Sequence, residues 1–125
     1  MMNNIITKNA PAAIGPYSQG IIHGDLIFVS GQLPINPTTG NLLEGNIRDM
    51  TRQCMDNISA ILKEAQSDIN KIVKTTIFVA DLNDFAEVNE EYATFFENVS
   101  PARSCVQVAA LPKGARIEIE AIARK

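Results

Sequence analysis

Residues 46–80 read NIRDMTRQCMDNISAILKEAQSDINKIVKTTIFVA, a helical pattern that gives way to a strand pattern after a brief polar break. From Ile47 onward, apolar residues fall at Met50, Cys54, Ile58, Ile61, Leu62 and Ala65, the three-and-four spacing of one buried stripe. Asn46 stands where its side chain can accept an orphan amide hydrogen of the first turn, so the helix is expected to begin there. In residues 72–80 the pattern changes: Val73, Ile77 and Val79 oppose Phe78 and Ala80, apolar on both faces. Such a run fits a central strand covered on both sides.

Working outward, a second helix is expected over residues 84–98, with Phe85, Val88, Tyr92, Phe95, Phe96 and Val99 as its stripe. Asp84 followed by Glu87 resembles a capping box at its start. Two alternating strands close the chain. In residues 103–109, Ser104, Val106 and Val108 point one way and Arg103, Cys105 and Gln107 the other. In residues 116–124, Ile117, Ile119, Ala121 and Ala123 alternate with Glu118, Glu120 and Ile122. Residues 1–24 read as irregular, with a short strand over 17–23, and residues 25–30 form a compact strand ending at Ser30-Gly31. A loop with a turn at Thr38-Thr39-Gly40-Asn41 follows.

This order predicts an α+β or mixed α/β fold: one sheet with both helices on one face, in a single domain spanning residues 1–125. The apolar sides of the strands should meet the helices, leaving Arg103, Cys105, Glu118 and Glu120 together on the uncovered face. That face also carries Phe78 and Ile122, which invites coverage by other copies, so an oligomer is expected.

Composition narrows the function classes. A net charge of -3 argues against binding nucleic acid or membrane by bulk electrostatics, and Lys and Arg are scattered rather than clustered into a basic patch. No apolar run approaches the roughly 18 residues of a membrane span. Cys54 and Cys105 are too few for a disulfide scaffold and too isolated for a zinc site; reduced thiols in the cytoplasm are the default reading.

Arg103 opens a strand after Ser100-Pro101-Ala102, and its planar fork suits a carboxylate gripped by two hydrogen bonds; the plainer reading is a surface arginine paired with a glutamate. Glu118 and Glu120 point the same way, as a general acid/base on a bound water or as a solvated edge. Asn89 falls within the second helix's apolar stripe and must find partners there, in the core or in a site. Ser30-Gly31 could present backbone amides or simply turn the chain, and Tyr17 could cover a small ligand or pack. His23, the sole histidine, has no triad partners around it. Cys105 has no neighbouring base and reads as an inert strand thiol. No cofactor or metal motif is present.

The chain from residue 10 to 125 resembles the reactive-intermediate deaminase (Rid) family. The resemblance is carried by Ala13-Ile14-Gly15-Pro16-Tyr17-Ser18-Gln19, Ser30-Gly31-Gln32, Thr75-Thr76-Ile77-Phe78-Val79, Asp81-Leu82-Asn83-Asp84-Phe85 and, above all, Pro101-Ala102-Arg103-Ser104-Cys105-Val106. The runs Leu111-Pro112-Lys113 and Ile117-Glu118-Ile119-Glu120-Ala121-Ile122-Ala123 complete it. It implies a chorismate-mutase-like fold, a homotrimer with sites between subunits, and hydrolysis of 2-imino acids without metal or cofactor. It further implies that Arg103 holds the substrate carboxylate, that Glu118 orients a water while Glu120 does not, and that Tyr17, Ser30, Gly31, Asn89 and Cys105 line the pocket. Residues 97–100 look shorter than in some relatives, which bears on substrate size. A carboxylate-sensing protein, and one acting on RNA or client proteins, are the other classes; a turnover assay separates enzyme from sensor, and a salt-dependent RNA-binding test addresses the last.

Overall fold

The computed structural model describes residues 2–125. Its strands are β1 (Met2–Ile5), β2 (Gly20–His23), β3 (Leu26–Gln32), β4 (Ile72–Val79), β5 (Ala102–Gln107) and β6 (Ile117–Arg124). Its helices are α1 (Ile47–Glu64) and α2 (Phe85–Ala93). The strands form one sheet in the order β1-β2-β3-β6-β4-β5. Only β4 and β5 pair in parallel. Because β3 and β4 both run antiparallel to β6, they are parallel to each other with β6 inserted between them. A parallel pair needs a crossover, and the two helices supply them: α1 between β3 and β4, α2 between β4 and β5.

The mixed α+β architecture is therefore as expected, with both helices on one face. On that face Ile27 and Val29 of β3, Ile77 and Val79 of β4 and Ile117 and Ile119 of β6 pack with Met55, Ile58, Ile61 and Leu62 of α1 and Val88 of α2. Removing each such side chain from water contributes roughly 1.5–3 kcal/mol, which makes this layer the main source of stability. Asn46 caps α1 by accepting from the Asp49 amide, at 2.9 Å.

Several local expectations need correction. Strand β1 lies in a stretch read as irregular, and β2 starts at Gly20 rather than at residue 17. Strand β3 passes through Ser30 and Gly31 to Gln32, with a register shift against β6 between Val29 and Gln32. A second shift, between Ile72 and Lys74, turns Val73 outward and gives its core position to Ile72. Helix α2 stops at Ala93, where Thr94 Oγ1 donates to the Glu91 carbonyl and the next amides donate three residues back. Phe95 and Phe96 still reach the core through this tightened turn, but Val99 is 83% exposed. Asp84 makes no capping bond; it takes Arg116 Nη2 on both carboxylate oxygens, at 3.0 Å each.

The largest correction concerns β5. Arg103 pairs with Thr75 and Cys105 with Ile77, and those two β4 residues are fully buried beneath the helices. Arg103 and Cys105 therefore point to the helix side, while Glu118 and Glu120 pair with Phe78 and Thr76 on the other. The four residues do not share a face. Strand β5 lies at the edge beside the short α2, so its inward positions are only half-buried and tolerate a guanidinium. Val106, which read as inward, is 43% exposed on the helix-free face.

Candidate functional site

Cys105 apart, the expected site residues gather in two places, one on each side of the sheet. The first is a cleft of about 620 Å³ on the helix-free side, lined by Tyr17, Ser30, Gly31, Leu33, Glu118 and Glu120 among others. The β3 shift brings Gly31 against Glu118 so closely that a Cβ at Gly31 would stand 2.8 Å from the Glu118 Cδ. Glycine here is a matter of room, not of backbone freedom.

The Glu118 side chain is half-buried and makes no hydrogen bond or ion pair among the described residues. Burial raises its pKa first, and the like charge of Glu120 raises it further. An unpaired carboxyl held toward its protonated form in a cleft is a group fit to take and return a proton.

The cleft wall is pinned by buried amides. Gln19 accepts from the Thr7 amide and donates to the carbonyls of Thr7, Ala10 and Pro11. Asn57 on α1 donates to the carbonyls of Leu33 and Ile35, both of which line the cleft. Ser30 Oγ donates to the Ser18 carbonyl at 2.6 Å. The Ile14 amide donates to the phenol oxygen of Tyr17, itself half exposed. The site reading passed over Gln19 and Asn57; the available signal for Asn57 was a polar residue within one turn of Cys54, Ile58 and Ile61 on α1's buried side.

The second place is a shallower hollow of about 450 Å³ between α2 and the start of β5, lined by Asn89, Tyr92, Pro101 and Arg103. Arg103 is half-buried, and among the described residues no carboxylate pairs with it. Its Nη1 donates to Asn89 Oδ1 at 2.6 Å. The guanidinium carbon lies 5.5 Å from the centre of the Phe85 ring and 5.3 Å from that of Tyr92. Tyr92 is fixed in turn by a 2.7 Å hydrogen bond with Thr75 Oγ1. Both rings were read only as core stripe, yet Phe85, Asn89 and Tyr92 recur at the spacing of one helix face, the signal that they could meet one partner.

Cys105 lines neither cavity. Burial raises its thiol pKa, with Arg103 countering only in part, which suits a packed thiol rather than a nucleophile. His23 is exposed at the end of β2. Among the described residues no group of three His, Cys, Asp or Glu side chains is placed to hold a metal ion, and no helix is long and apolar enough to cross a membrane.

The family model described as endoribonuclease L-PSP matches residues 7–125. The fold overlays a crystal structure of a conserved Rid protein of Yersinia pestis, described as being of unknown function, with a TM-score of 0.98, 52% identity and full coverage of both chains. The chain belongs to the Rid family. Among Rid proteins, it is 53% identical to the 2-iminobutanoate/2-iminopropanoate deaminase of Escherichia coli K12, over 98% of each chain. It also overlays Escherichia coli TdcF with bound serine at a TM-score of 0.94 and 46% identity, over 98% of each chain. The Rid match accounts for the sheet order and helix placement; the two-sided distribution of Arg103 and Glu118 is read from this chain's own register.

Proposed function

We propose that this chain hydrolyses 2-imino acids such as 2-iminopropanoate and 2-iminobutanoate to 2-keto acids and ammonia. One observation carries the reading: a half-buried guanidinium and a half-buried carboxyl both stand without a charged partner, each in a cavity. A 2-imino acid offers a match for both. Its carboxylate fits the open edge of Arg103, and its C=N carbon accepts water once the nitrogen is protonated. Glu118 would hold that water, take its proton as the C–O bond forms, and return the proton to the departing amine. Alignment of an already reactive imine supplies much of the acceleration, so no covalent intermediate is required. The names of the deaminase relative and of the serine-bound neighbour support a small amino-acid-like ligand.

The two groups cannot serve one small substrate within a single chain. They lie on opposite sheet faces with β4 between their strands, about 10 Å apart across the sheet alone. The reading therefore places the site between copies, Arg103 from one and the Glu118 cleft from another, in a homotrimer. The helix-free face supports this assembly, since Phe28, Phe78, Val106 and Ile122 leave apolar surface on four adjacent strands. The test is ketoacid release from imines generated by a pyridoxal-phosphate dehydratase, with light scattering on the same sample. Acceleration by a trimer is expected. Binding of the imine or keto acid without acceleration would indicate a sensor instead.

A further inference from the structure

Among the described residues, the hydrogen-bond and aromatic partners of the Arg103 guanidinium are all electrically neutral: two aromatic faces and one amide oxygen. That is unusual for a half-buried arginine, because desolvation favours a carboxylate partner. Carboxylates are at hand on the same helix. Glu90 and Glu91 follow Asn89 directly in the sequence. Both are engaged elsewhere: Glu90 with Arg48 at 2.6 Å and Glu91 with Arg52 at 3.0 Å, two arginines of α1. The helix thus turns these two acids toward α1 and presents to Arg103 a side chain that matches aspartate in shape without its charge.

The geometry points to Asn89 as a neutral tether that aims the Arg103 fork while leaving its positive charge unspent for a substrate carboxylate. The hydrogen bond uses Nη1. The opposite edge, Nε with Nη2, has no partner among the described residues and is the edge that can grip a carboxylate through two parallel bonds. Phe85 and Tyr92 flank the group, and Tyr92 is kept in place by Thr75 and by its tilted contact with Phe96, ring centres 5.0 Å apart. Orientation comes from the amide and the rings, charge from the arginine alone. Asn89 is a positioning residue in this scheme. Its identity determines whether the site binds acids.

The inference rests on the reading of Arg103 as carboxylate anchor, and the comparison of Asn89→Asp with Asn89→Ala tests it. An aspartate keeps the shape and the acceptor but forms an internal ion pair that competes with the ligand. Asn89→Asp should therefore fold with a Tm no lower than the parent's, yet raise KM for 2-iminobutanoate and weaken binding of 2-oxobutanoate about tenfold or more. Asn89→Ala keeps the charge and loses only alignment, so its binding loss should be smaller than that of Asn89→Asp, with more of its effect in kcat. A purely structural asparagine predicts the reverse order, alanine worse than aspartate, and that order overturns the tether. Arg103→Ala runs alongside. If Arg103→Ala binds 2-oxobutanoate as the parent does, the anchor itself is wrong and the tether falls with it. If Arg103→Ala loses binding while Asn89→Asp binds normally, only the tether fails.

Discussion

At the scale of single residues, the charge state of Glu118 links stability to activity. Its pKa is raised in the folded protein, so the unfolded chain gives up this proton at lower pH than the folded one. The favourable contribution is complete below the unfolded value and is lost as pH rises through the raised folded value. Above the raised folded value the ionised side chain is therefore a liability, and Glu118→Gln should raise the Tm there relative to the parent while abolishing most imine hydrolysis. Glu120→Gln removes the like charge that helps to raise Glu118. It should keep turnover and move the acid limb of the kcat/KM profile to lower pH, because the base then stays ionised further down. Coincident profiles for Glu120→Gln and the parent would remove Glu118 from the role of base. Gly31→Ala tests the same contact from the other strand. The added methyl meets the Glu118 carboxyl, so kcat should fall although circular dichroism shows an intact fold.

At the scale of elements, helix α1 holds the cleft as much as it holds the core. Asn57 donates to two backbone carbonyls of the loop after β3, and among the described residues no other side chain donates to them. Asn57→Ala should cost about 1–3 kcal/mol in chemical denaturation. Asn46→Ala, which loses only a solvent-facing cap, should cost roughly 1 kcal/mol. A smaller loss at Asn57 than at Asn46 would mean that the loop is held by other means. Legibility differed between elements for physical reasons. Helix α1 was plain because eighteen residues under a broad sheet carry a long, strict stripe. Helix α2 was overextended because Phe95 and Phe96 still bury themselves, but from a turn. Strand β1 was invisible because only Ile5 of its four residues is buried, so no alternation marks it. The face of β5 was misread because its covering helix is short, and half-buried Arg103 and Cys105 look no more apolar than exposed Val106. Backbone register against β4, which periodicity does not contain, settled it. The sequence singled out Arg103 and Glu118 one residue at a time; that they stand on opposite faces of the sheet was not readable from it.

At the scale of the whole molecule, that division predicts complementation between inactive variants. If the site takes Arg103 from one copy and Glu118 from its neighbour, Arg103→Ala and Glu118→Gln chains are each inactive alone. In a mixed cyclic trimer, one of the three sites joins an intact arginine to an intact glutamate. Refolding the two together in equal amounts should restore about a quarter of parental activity. The recovery should depend on subunit exchange, so mixing the assembled proteins without refolding should restore little at first. Refolded mixtures that form trimers yet stay inactive would show that both groups act from the same chain, contrary to the register.

The central position of β6 has a consequence for how the protein is made. Residues 117–124 are the last of the sheet to leave the ribosome, yet they join β3 to β4, which have no pairing with each other. Until they emerge, a nascent chain carries two hydrophobic strands whose inner edges face nothing, the condition in which strands recruit wrong neighbours. The nascent chain can form α1 and the β2–β3 hairpin early, but it cannot close its core piecemeal. Folding must wait for residues 117–124, so the interval before they emerge is when this protein most needs a chaperone's cover.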